Sequence, residues 1–452
     1  MEIEQVEVYS TSEEYRRPIP TAVGTHYRRD NILVKVTATE DGEEYGGWGE
    51  GSPLIPGYSG ATRNHMADDI VKRIAPDILG AEVNSVQDIL DLIGRVKRNR
   101  YYMMCSLAPI DIALFDLLGQ VNATPTFNIV REHLGLEKYD VEDLPLMPAN
   151  FTVSRNATET DNRIGEILEE AEEYVSRGCT VIKVKIGIFK DSDVESLRRI
   201  HDHFQGRDVT LFADGNQAYD SVNEVFDVLT EIGDLIACLE QPFHRDKTHM
   251  SAELNRRTKH VQGMPLIITD EGTSSVEELE NVLLSDAAGG CLLKMVRSGG
   301  FHYGIKAVGL LEGRDDFKFA PCSMTETGIG TIANIHSALA IYEHCHPSLG
   351  FGFDGPLQVI GDEYKNGRDT ILYENQENGL YTKDANGVWI YDPSQIVGLG
   401  SGLGFEANYQ YIEEITEHKV TLYLDEGDMI MEEDGEVKVM GKQRDILKYP
   451  RY

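Results

Sequence analysis

Charged side chains recur at a regular interval along the middle of this 452-residue chain, each at the end of a short apolar run. Lys185 is followed 29 residues later by Asp214, and then after 26, 30 and 24 residues by Glu240, Asp270 and Lys294. Such an interval holds one β-strand, one α-helix and their loops. Repetition of this unit predicts a parallel sheet. A polar residue ending each buried strand is typical of a barrel whose active site collects at the carboxyl ends of its strands.

The strand and helix pattern extends beyond these five residues in both directions. It begins near Leu146 and continues after Lys294 with two further apolar runs, at 317–321 and 350–354. Eight strands are therefore expected between about residues 146 and 356. We predict an α/β fold with a (β/α)8-type barrel as the catalytic domain, spanning residues 140–375.

Segments of a different character flank the predicted barrel. Residues 1–50 alternate like antiparallel strands and 59–121 have helical periodicity, which together predict an α+β capping domain over 1–135. Residues 376–415 contain a glycine-rich stretch and are expected to return and pack on the capping domain. Residues 416–452 alternate again and predict a small acidic β appendage.

Composition restricts the partners of this chain. Asp and Glu outnumber Lys and Arg by 76 to 42, and the net charge of −34 argues against nucleic acid and anionic membranes as partners. The acidic residues are spread along the chain, which indicates a solvation surface of the salt-adapted kind. The six cysteines are scattered without a CxxC pair, as expected for buried free thiols. With an acidic, alternating N-terminus and no long apolar run, the protein is predicted to be cytoplasmic.

The charged strand ends have a pattern that predicts metal-assisted chemistry. Lys183 and Lys185 share one face of their strand, as Asp214 and Asn216 do on the next, because side chains alternate. Two ammonium groups inside a barrel are costly unless the site uses them. Three acids brought together from successive strands would repel one another without a cation. Their hard oxygen ligands suit Mg²⁺, and the absence of His and Cys at the same places argues against zinc.

Several short motifs resemble those of one enzyme family. They include Lys-Val-Lys at 183–185, Asp-Gly-Asn at 214–216, Glu-Gln-Pro at 240–242, Asp-Glu-Gly at 270–272, Lys-Met-Val-Arg-Ser-Gly-Gly at 294–300 and Met-Thr-Glu-Thr-Gly-Ile-Gly at 324–330. With these residues the chain resembles the enolase superfamily, in its muconate lactonizing enzyme subgroup. The resemblance covers about residues 1–415.

This resemblance implies a role for each central residue. It implies that a Mg²⁺ ion, which binds a substrate carboxylate, is held by Asp214, Glu240 and Asp270. Lys185 and Lys294 would face each other across the carbon α to that carboxylate, and Lys183 would add positive field and help to keep Lys185 neutral. Metal and lysine together would stabilise the enediolate that forms when the α-proton leaves.

Substrate recognition is expected at the mouth of the barrel. Two loops of the capping domain, 21–28 and 52–60, are candidates, with His26, Arg28 and Tyr58 as polar side chains able to contact substrate. Ordinary surface positions are the alternative for each of them.

Two further candidates lie within the barrel. Asn216 is expected beside the metal as a substrate contact. Glu326 opens a glycine-rich turn at 327–330 that leads into a predicted helix, and its backbone N–H groups could hold the far end of an anionic substrate. A simple tight turn between strand and helix is the alternative.

The chain departs from the resembled family at one informative place. Dipeptide epimerases of the subgroup resemble one another in an Asp-x-Asp on the eighth strand, whereas this chain has Gly-Phe-Asp at 352–354. This leaves racemisation of N-acyl amino acids, muconate-type cycloisomerisation and o-succinylbenzoate synthesis, all on small carboxylate substrates. An isomerase is favoured, a lyase is the alternative, and a non-catalytic barrel is a third hypothesis. A homo-oligomer is possible.

Overall fold

The structure is a computed structural model that describes residues 1–54, 56–99, 103–140, 143–154, 160–353, 382–391 and 400–442. Within these residues the chain forms an antiparallel sheet, a curled parallel sheet and a small third sheet. Helices pack against the two large sheets, and one hydrophobic core runs through both. The predicted α/β class is confirmed. The six cysteines are buried and free, as expected.

The N-terminal unit consists of three long strands followed by helices. The strands are β1 (Glu2–Thr21), β2 (Gly24–Glu40) and β3 (Glu43–Gly51), and the helices are α1 (Pro56–Ser59), α2 (Arg63–Asp69), α3 (Ala75–Ile78), α4 (Val86–Asn99), α5 (Met104–Val121) and α6 (Thr126–His133). Successive strands pair antiparallel, so that β1 and β2 form a hairpin of unusual length.

Helix α5 lies directly on β3 because the strand carries glycines. A Cβ atom at Gly47 would lie 2.2 Å from the carbonyl oxygen of Ala113, and one at Gly49 would lie 2.0 Å from that of Pro109. By length and composition α5 is apolar enough to cross a membrane, yet 83% of it is buried inside the protein. Its apolar character therefore fits the central helix of a core.

The barrel is a parallel sheet that curls upon itself. Its strands run in the order β11-β10-β9-β8-β7-β6-β5, so each is paired with its neighbour in sequence. A short strand β4 (Met147–Pro148) precedes them, and they are β5 (Asn150–Val153), β6 (Val181–Lys185), β7 (Thr210–Asp214), β8 (Cys238–Glu240), β9 (Leu266–Thr269), β10 (Gly290–Leu293) and β11 (Lys318–Pro321). The helices are α7 (Thr160–Ser176), α8 (Lys190–His203), α9 (Val222–Ile232), α10 (Thr248–Thr258), α11 (Val276–Ser285), α12 (Met295–Ser298), α13 (Phe301–Leu310) and α14 (Gly328–Ala340).

The curled sheet closes where the eighth strand is predicted. Phe351 bridges Ala149 and Gly352 bridges Cys322, both in parallel, so this dipeptide joins the two edges of the sheet. Over 350–353, the part of the predicted strand that the structure describes, these bridges replace a regular strand. Asp354 lies outside the described residues.

The described parts of the segment after the barrel contact first the start of the barrel and then the N-terminal unit. Strands β12 (Thr382–Lys383) and β13 (Trp389–Tyr391) pair beside β4. Further on, Gly402 lies against α5, where a Cβ atom on Gly119 would be only 2.4 Å from the Cα atom of Gly402. The remainder of the predicted return segment, at 376–381 and 392–399, lies outside the described residues.

The C-terminal residues extend the first sheet. Helix α15 (Tyr409–Ile415) leads into β14 (Thr416–Asp425), β15 (Asp428–Glu433) and β16 (Glu436–Lys442). Because β14 pairs antiparallel with β1, the sheet has the order β16-β15-β14-β1-β2-β3. The sequence pattern predicts a small acidic β appendage over 416–452. In the described part of this segment the structure has three strands, which continue the N-terminal sheet.

Candidate active site

The predicted functional side chains form one layer inside the barrel. A layer of apolar side chains packs below them, consisting of Phe212, Cys238, Ile268 and Leu292. Because side chains in a strand alternate, the next inward position on each strand lies two residues later. Those positions are Asp214, Glu240, Asp270 and Lys294. The strand register agrees, since Asp214 lies beside both Lys185 and Glu240.

Each of the three predicted metal ligands is bonded to one of the predicted lysines. The Nζ to carboxylate oxygen distances are 2.5 Å for Lys185 and Asp214, 3.1 Å for Lys183 and Glu240, and 2.6 Å for Lys294 and Asp270. The carboxylates are fully buried and the lysine side chains nearly so. The structure thus brings all six predicted residues together.

Neighbouring cations keep two of the acids ionised. Burial alone would raise the pKa of Asp214, but Lys185 and Lys183 together outweigh burial and the pKa is lowered. Burial likewise opposes ionisation of Asp270, yet Arg297 and Lys294 hold its pKa well below the usual range. These two carboxylates are therefore negatively charged near pH 7.

The third acid has the opposite behaviour. Burial and repulsion by Asp214 raise the pKa of Glu240 well above its ordinary value. Burial should lower the pKa of Lys294, but Asp270 raises it. The carboxylates therefore repel one another in spite of the cations beside them, and a divalent cation would relieve this repulsion.

The donor atoms fit a hard cation such as Mg²⁺. The Oε1 atom of Glu240, the Oδ1 atom of Asn216 and the Oε2 atom of Glu271 are buried without a hydrogen-bond partner. Oxygen donors of this kind suit Mg²⁺. In the described part of the chain, however, no three His, Cys, Asp or Glu side chains converge closely enough to enclose a metal as they stand.

Two residues of the site have no role in the sequence-based hypothesis. Arg297 donates to Asp270 through Nη1, at 2.6 Å from Oδ1, and through Nη2, at 2.9 Å from the carbonyl oxygen. The Oε1 atom of Gln241 accepts from the hydroxyl of Thr269 and from the backbone N–H groups of Asp270 and Gly272. Both therefore orient Asp270. Arg297 and Gln241 lie within the resembled motifs, but the motifs alone give no reason for a role.

Two further polar side chains of the site, Asn216 and Glu271, lie two residues beyond the ends of their strands. Asn216 lies two residues after the end of β7 with φ 38°, and its Nδ2 atom donates to Glu271 at 3.4 Å. Glu271 begins a short 3-10 turn after β9, which directs its side chain into the site. Burial and repulsion by Asp270 raise the pKa of Glu271 to about 7. Strand alternation places Glu271 on the opposite face, and that expectation is wrong because the strand has already ended.

Two of the three predicted mouth residues line the cavity above the lysines. His26 and Tyr58 lie there with ring centroids 5.6 Å apart, beside Lys185 and Lys294. Burial, with a smaller effect of Lys185, lowers the pKa of His26 to about 4, so this imidazole is neutral near pH 7. Its Nε2 atom is buried without a hydrogen-bond partner and is available to a ligand.

The third mouth residue, Arg28, is not in the cavity lining. Its side chain is about half exposed and pairs with Glu417, with 2.8 Å between Nη2 and Oε1. Strand alternation would place Arg28, two residues from His26, on the same face of β2, but the hairpin is irregular between them. The structure therefore does not support the expected contact of Arg28 with substrate.

The glycine-rich turn after β11 is already occupied by a side chain of the N-terminal unit. The Glu50 carboxylate accepts from the backbone N–H of Thr327 at 2.8 Å and from that of Gly330 at 2.9 Å. Glu326 itself is fully buried and accepts from the Met324 N–H and from the Asn334 amide. The expectation that these N–H groups hold substrate is wrong, because Glu50 fills the place of the anion.

Comparison with known proteins agrees with this geometry. Residues 5–130 match the family model of the mandelate racemase / muconate lactonizing enzyme N-terminal domain, and 166–369 match the enolase C-terminal domain-like model. The N-succinyl-L-Arg/Lys racemase of Bacillus cereus is 24% identical over 92% of this chain and 98% of its own. The o-succinylbenzoate synthase of Bacillus subtilis is 26% identical over 74% of this chain and 81% of its own.

Solved structures show the same fold. The crystal structure of N-succinyl Arg/Lys racemase from Bacillus cereus superposes with a TM-score of 0.74 and 21% identity, and covers 93% of this chain and 100% of its own. Muconate lactonizing enzyme from Pseudomonas fluorescens, complexed with muconolactone, gives 0.73 and 22%, with coverage of 92% and 99%. The capped barrel is that of an enzyme, with its site at the strand ends. The chain belongs to the enolase superfamily, in its muconate lactonizing enzyme subgroup, and is of the isomerase type.

Proposed function

We propose that this protein is a Mg²⁺-dependent racemase or epimerase that removes the proton α to a substrate carboxylate on one face and returns one on the other. The observation that carries the proposal is the position of two lysines. Lys185 ends β6 and Lys294 follows β10, with three strands between them, and both line one cavity. In a curled sheet this separation places them on opposite sides of the space between.

The acids on the intervening strands complete the arrangement. A Mg²⁺ ion held by these acids would bind the substrate carboxylate and stabilise negative charge. The ligands would be Asp214, Glu240 and Asp270. Lys294, whose pKa Asp270 raises, is suited to donate a proton, and Lys185 on the other side would accept one. Lys183 adds a buried positive charge next to Glu240.

The cavity lining favours a substrate without an ammonium group. It consists of apolar and neutral polar side chains and the three lysines, and in the described part of the chain it contains no carboxylate. A substrate ammonium group would therefore lack a partner. At the position where dipeptide epimerases resemble one another in an Asp, a Cβ atom on Gly352 would lie 2.9 Å from Cys322 Sγ. We therefore propose an N-acyl amino acid as substrate, in preference to a dipeptide.

The experiment is a substrate screen in deuterated water with Mg²⁺ present. N-succinyl and N-acetyl amino acids, dipeptides and muconates are incubated with the enzyme at low and high salt. We expect deuterium at the α-carbon together with racemisation of N-acyl substrates. Metal-independent turnover, or exchange with dipeptides alone, would contradict the proposal.

Variants of the two lysines test their separate roles. With Lys294→Met or Lys185→Met, racemisation should fall about 10²- to 10⁴-fold, as expected for loss of a general acid or base. Each variant should still exchange the α-proton of one enantiomer only. Lys259→Met, at a surface lysine paired with Asp286, is the matched control. Equal loss of exchange for both enantiomers would exclude the two-sided mechanism.

A lyase is the second candidate, because o-succinylbenzoate synthases are among the relatives. Dehydration would yield a product lighter by one water, which mass spectrometry of the same reactions separates from racemisation. The proposal also includes a cytoplasmic location, a homo-oligomeric state and a salt-adapted surface. The net charge of −34 supports the last of these.

A further inference from the structure

The C-terminal segment 408–425 contacts the long β1–β2 hairpin, although it lies outside both matched family regions, 5–130 and 166–369. Strand β14 pairs with β1 from Gln5 opposite Tyr423 to Thr11 opposite Thr416. The hairpin continues past this ladder, and its far end reaches the mouth of the barrel.

The far end of the hairpin is part of the active-site wall. It contributes three residues to the cavity lining, namely Ile19, Thr21 and His26. The carbonyl oxygen of Pro20 accepts from the hydroxyl of Ser154, at 2.5 Å, and the Tyr15 hydroxyl lies 2.6 Å from that of Thr325. The hairpin tip thus covers the lysines and touches the loop after β11.

Strand pairing alone does not set the position of this tip. The β1–β2 ladder is regular up to Glu13 opposite Arg29 and Glu14 opposite Arg28, and it resumes only at Ile19 opposite His26. The irregular stretch between is a point at which the tip can change its angle, because ladder hydrogen bonds are interrupted there. Contacts that fix the last two regular pairs, Glu13–Arg29 and Glu14–Arg28, therefore also restrict the position of the tip.

The C-terminal segment holds one of these pairs through a buried chain of bonds. The Tyr411 hydroxyl donates to Glu13 Oε1 at 2.5 Å, and Glu13 Oε2 lies 2.5 Å from Nη2 of Arg29. Arg29 is 1% exposed and donates through Nη1 to the carbonyl oxygen of Glu326, at 3.0 Å. This carbonyl follows Thr325, which lines the cavity. Helix α15 is therefore linked to the active-site loop through only two side chains.

The same segment holds the other pair at the surface. Glu417 binds Arg28 through Oε1, at 2.8 Å, and Arg63 through Oε2, at 2.6 Å. Arg63 in turn donates to the carbonyl oxygen of Thr11, at 2.9 Å. These pairs are partly exposed, so each contributes less than the buried chain does.

We propose that Tyr411 and Glu417 are positioning residues for the active site. Tyr411 binds Glu13 and Glu417 binds Arg28, one residue in each of the two strand pairs next to the irregular stretch. These contacts fix the positions of the hairpin tip and of loop 323–326 over the lysines. The C-terminal segment then sets how firmly the mouth closes on substrate, without contacting it. Only the kinetic test of this inference rests on the proposed function.

The test compares Tyr411→Phe, Glu417→Gln and the double variant with Glu433→Gln. Glu433 is the matched control, because it lies in the same sheet and, among the described residues, forms ion pairs only with Lys438 and His418. For the double variant we expect KM to rise about five- to twentyfold and kcat to change less than about threefold, since removing a lid contact weakens binding more than chemistry. The control should match the wild type.

Hydrogen exchange supplies a readout that needs no substrate. Amide protection of residues 12–28 should decrease at least about fivefold in the double variant and remain unchanged in the control. A lower melting temperature with KM and this protection unchanged would mean that the segment only stabilises the fold, which overturns the inference. If no carboxylate is turned over by the wild type, the proposed function fails, while the exchange result still decides this inference.

Discussion

Glu50 offers a sharp test of how the N-terminal unit is fixed to the barrel. Glu50 lies near the end of β3. Its carboxylate caps the first turn of α14, where it accepts from the Thr327 N–H and hydroxyl and from the Gly330 N–H. It also accepts from the amide of Asn31, at 2.7 Å. Two substitutions, Glu50→Ala and Glu50→Gln, separate the loss of the acceptors from the loss of the charge.

The geometry determines the expected magnitudes. Glu50→Ala leaves four buried donors without an acceptor, and at about 1–3 kcal/mol each, with incomplete additivity, the loss of stability is roughly 4–6 kcal/mol. Glu50→Gln retains one acceptor oxygen toward Thr327 and Gly330. The amide NH2 group of the new glutamine would face Asn31. The Oδ1 atom of Asn31 has no hydrogen-bond partner, and it can accept from this NH2 group once the Asn31 amide rotates. The expected cost is therefore only about 1–2 kcal/mol, including the weaker interaction with the helix dipole.

The pH dependence adds a second test. Burial raises the pKa of Glu50 in spite of Arg29 and the bonds from Thr327. A carboxyl group with a higher pKa in the folded state contributes stability below its unfolded pKa and loses it as the pH rises through the folded value. Glutamine does not ionise, so it contributes no such pH dependence to stability. The stability of Glu50→Gln relative to wild type should therefore improve as the pH rises above about 4.5.

Urea unfolding at several pH values measures these differences, with Glu4→Ala, at an exposed position on β1, as a control. The control should stay within about 0.5 kcal/mol of wild type. Equal losses for Glu50→Ala and Glu50→Gln would refute the reasoning, since they would show that the orphaned donors carry no cost. A difference between glutamine and wild type that is independent of pH would refute the assigned pKa direction.

Three further predictions address the metal, the packing and the cavity. Chelation of divalent cations should abolish turnover reversibly, and Asp214→Asn should abolish it even with excess Mg²⁺, as steady-state assays can show. Gly119→Ala should destabilise the protein by about 1–3 kcal/mol, because its Cβ would lie 2.4 Å from the backbone of Gly402. Gly94→Ala, a helical position with open space, should stabilise it by about 0.5–1 kcal/mol in the same melting experiment. His26→Gln should raise KM severalfold and leave the pH profile above pH 5 unchanged, since the pKa of His26 is lowered to about 4; loss of a titration near pH 6.5 would contradict this.

Inside the barrel, the sequence was a sufficient guide to the site. Lys183, Lys185, Asp214, Glu240, Asp270 and Lys294 all come from the regular spacing of charged strand ends, and the structure brings them within bonding distance. The reason is geometric: parallel strands with a fixed period of two place equivalent positions in one layer. The alternation rule failed two residues beyond β9, at Glu271, where the chain turns and the period no longer applies.

Elsewhere the outcome depended on contacts between distant segments. The turn at 327–330 has the composition of an anion site, and only the tertiary structure shows that Glu50, 277 residues away from Thr327, already fills it. Arg28 has the chemistry of a substrate contact, but Glu417 holds it outside the cavity. The local sequence pattern does not predict Glu50 or Glu417 as partners, because both the turn at 327–330 and Arg28 could form the same hydrogen bonds with a substrate or with the protein.

The sequence by itself determined the class of barrel, the donor set and the pair of lysines, because these depend on strand period and on the chemistry of each side chain. Only the tertiary structure decided which residues form the mouth and what holds them there. The C-terminal strands illustrate the difference: their alternation predicts β-structure, but pairing with β1 and the link from Tyr411 to Glu13 arise from the meeting of chain ends some 400 residues apart. Long-range pairing of this kind is selected by the whole fold, and no local pattern specifies it.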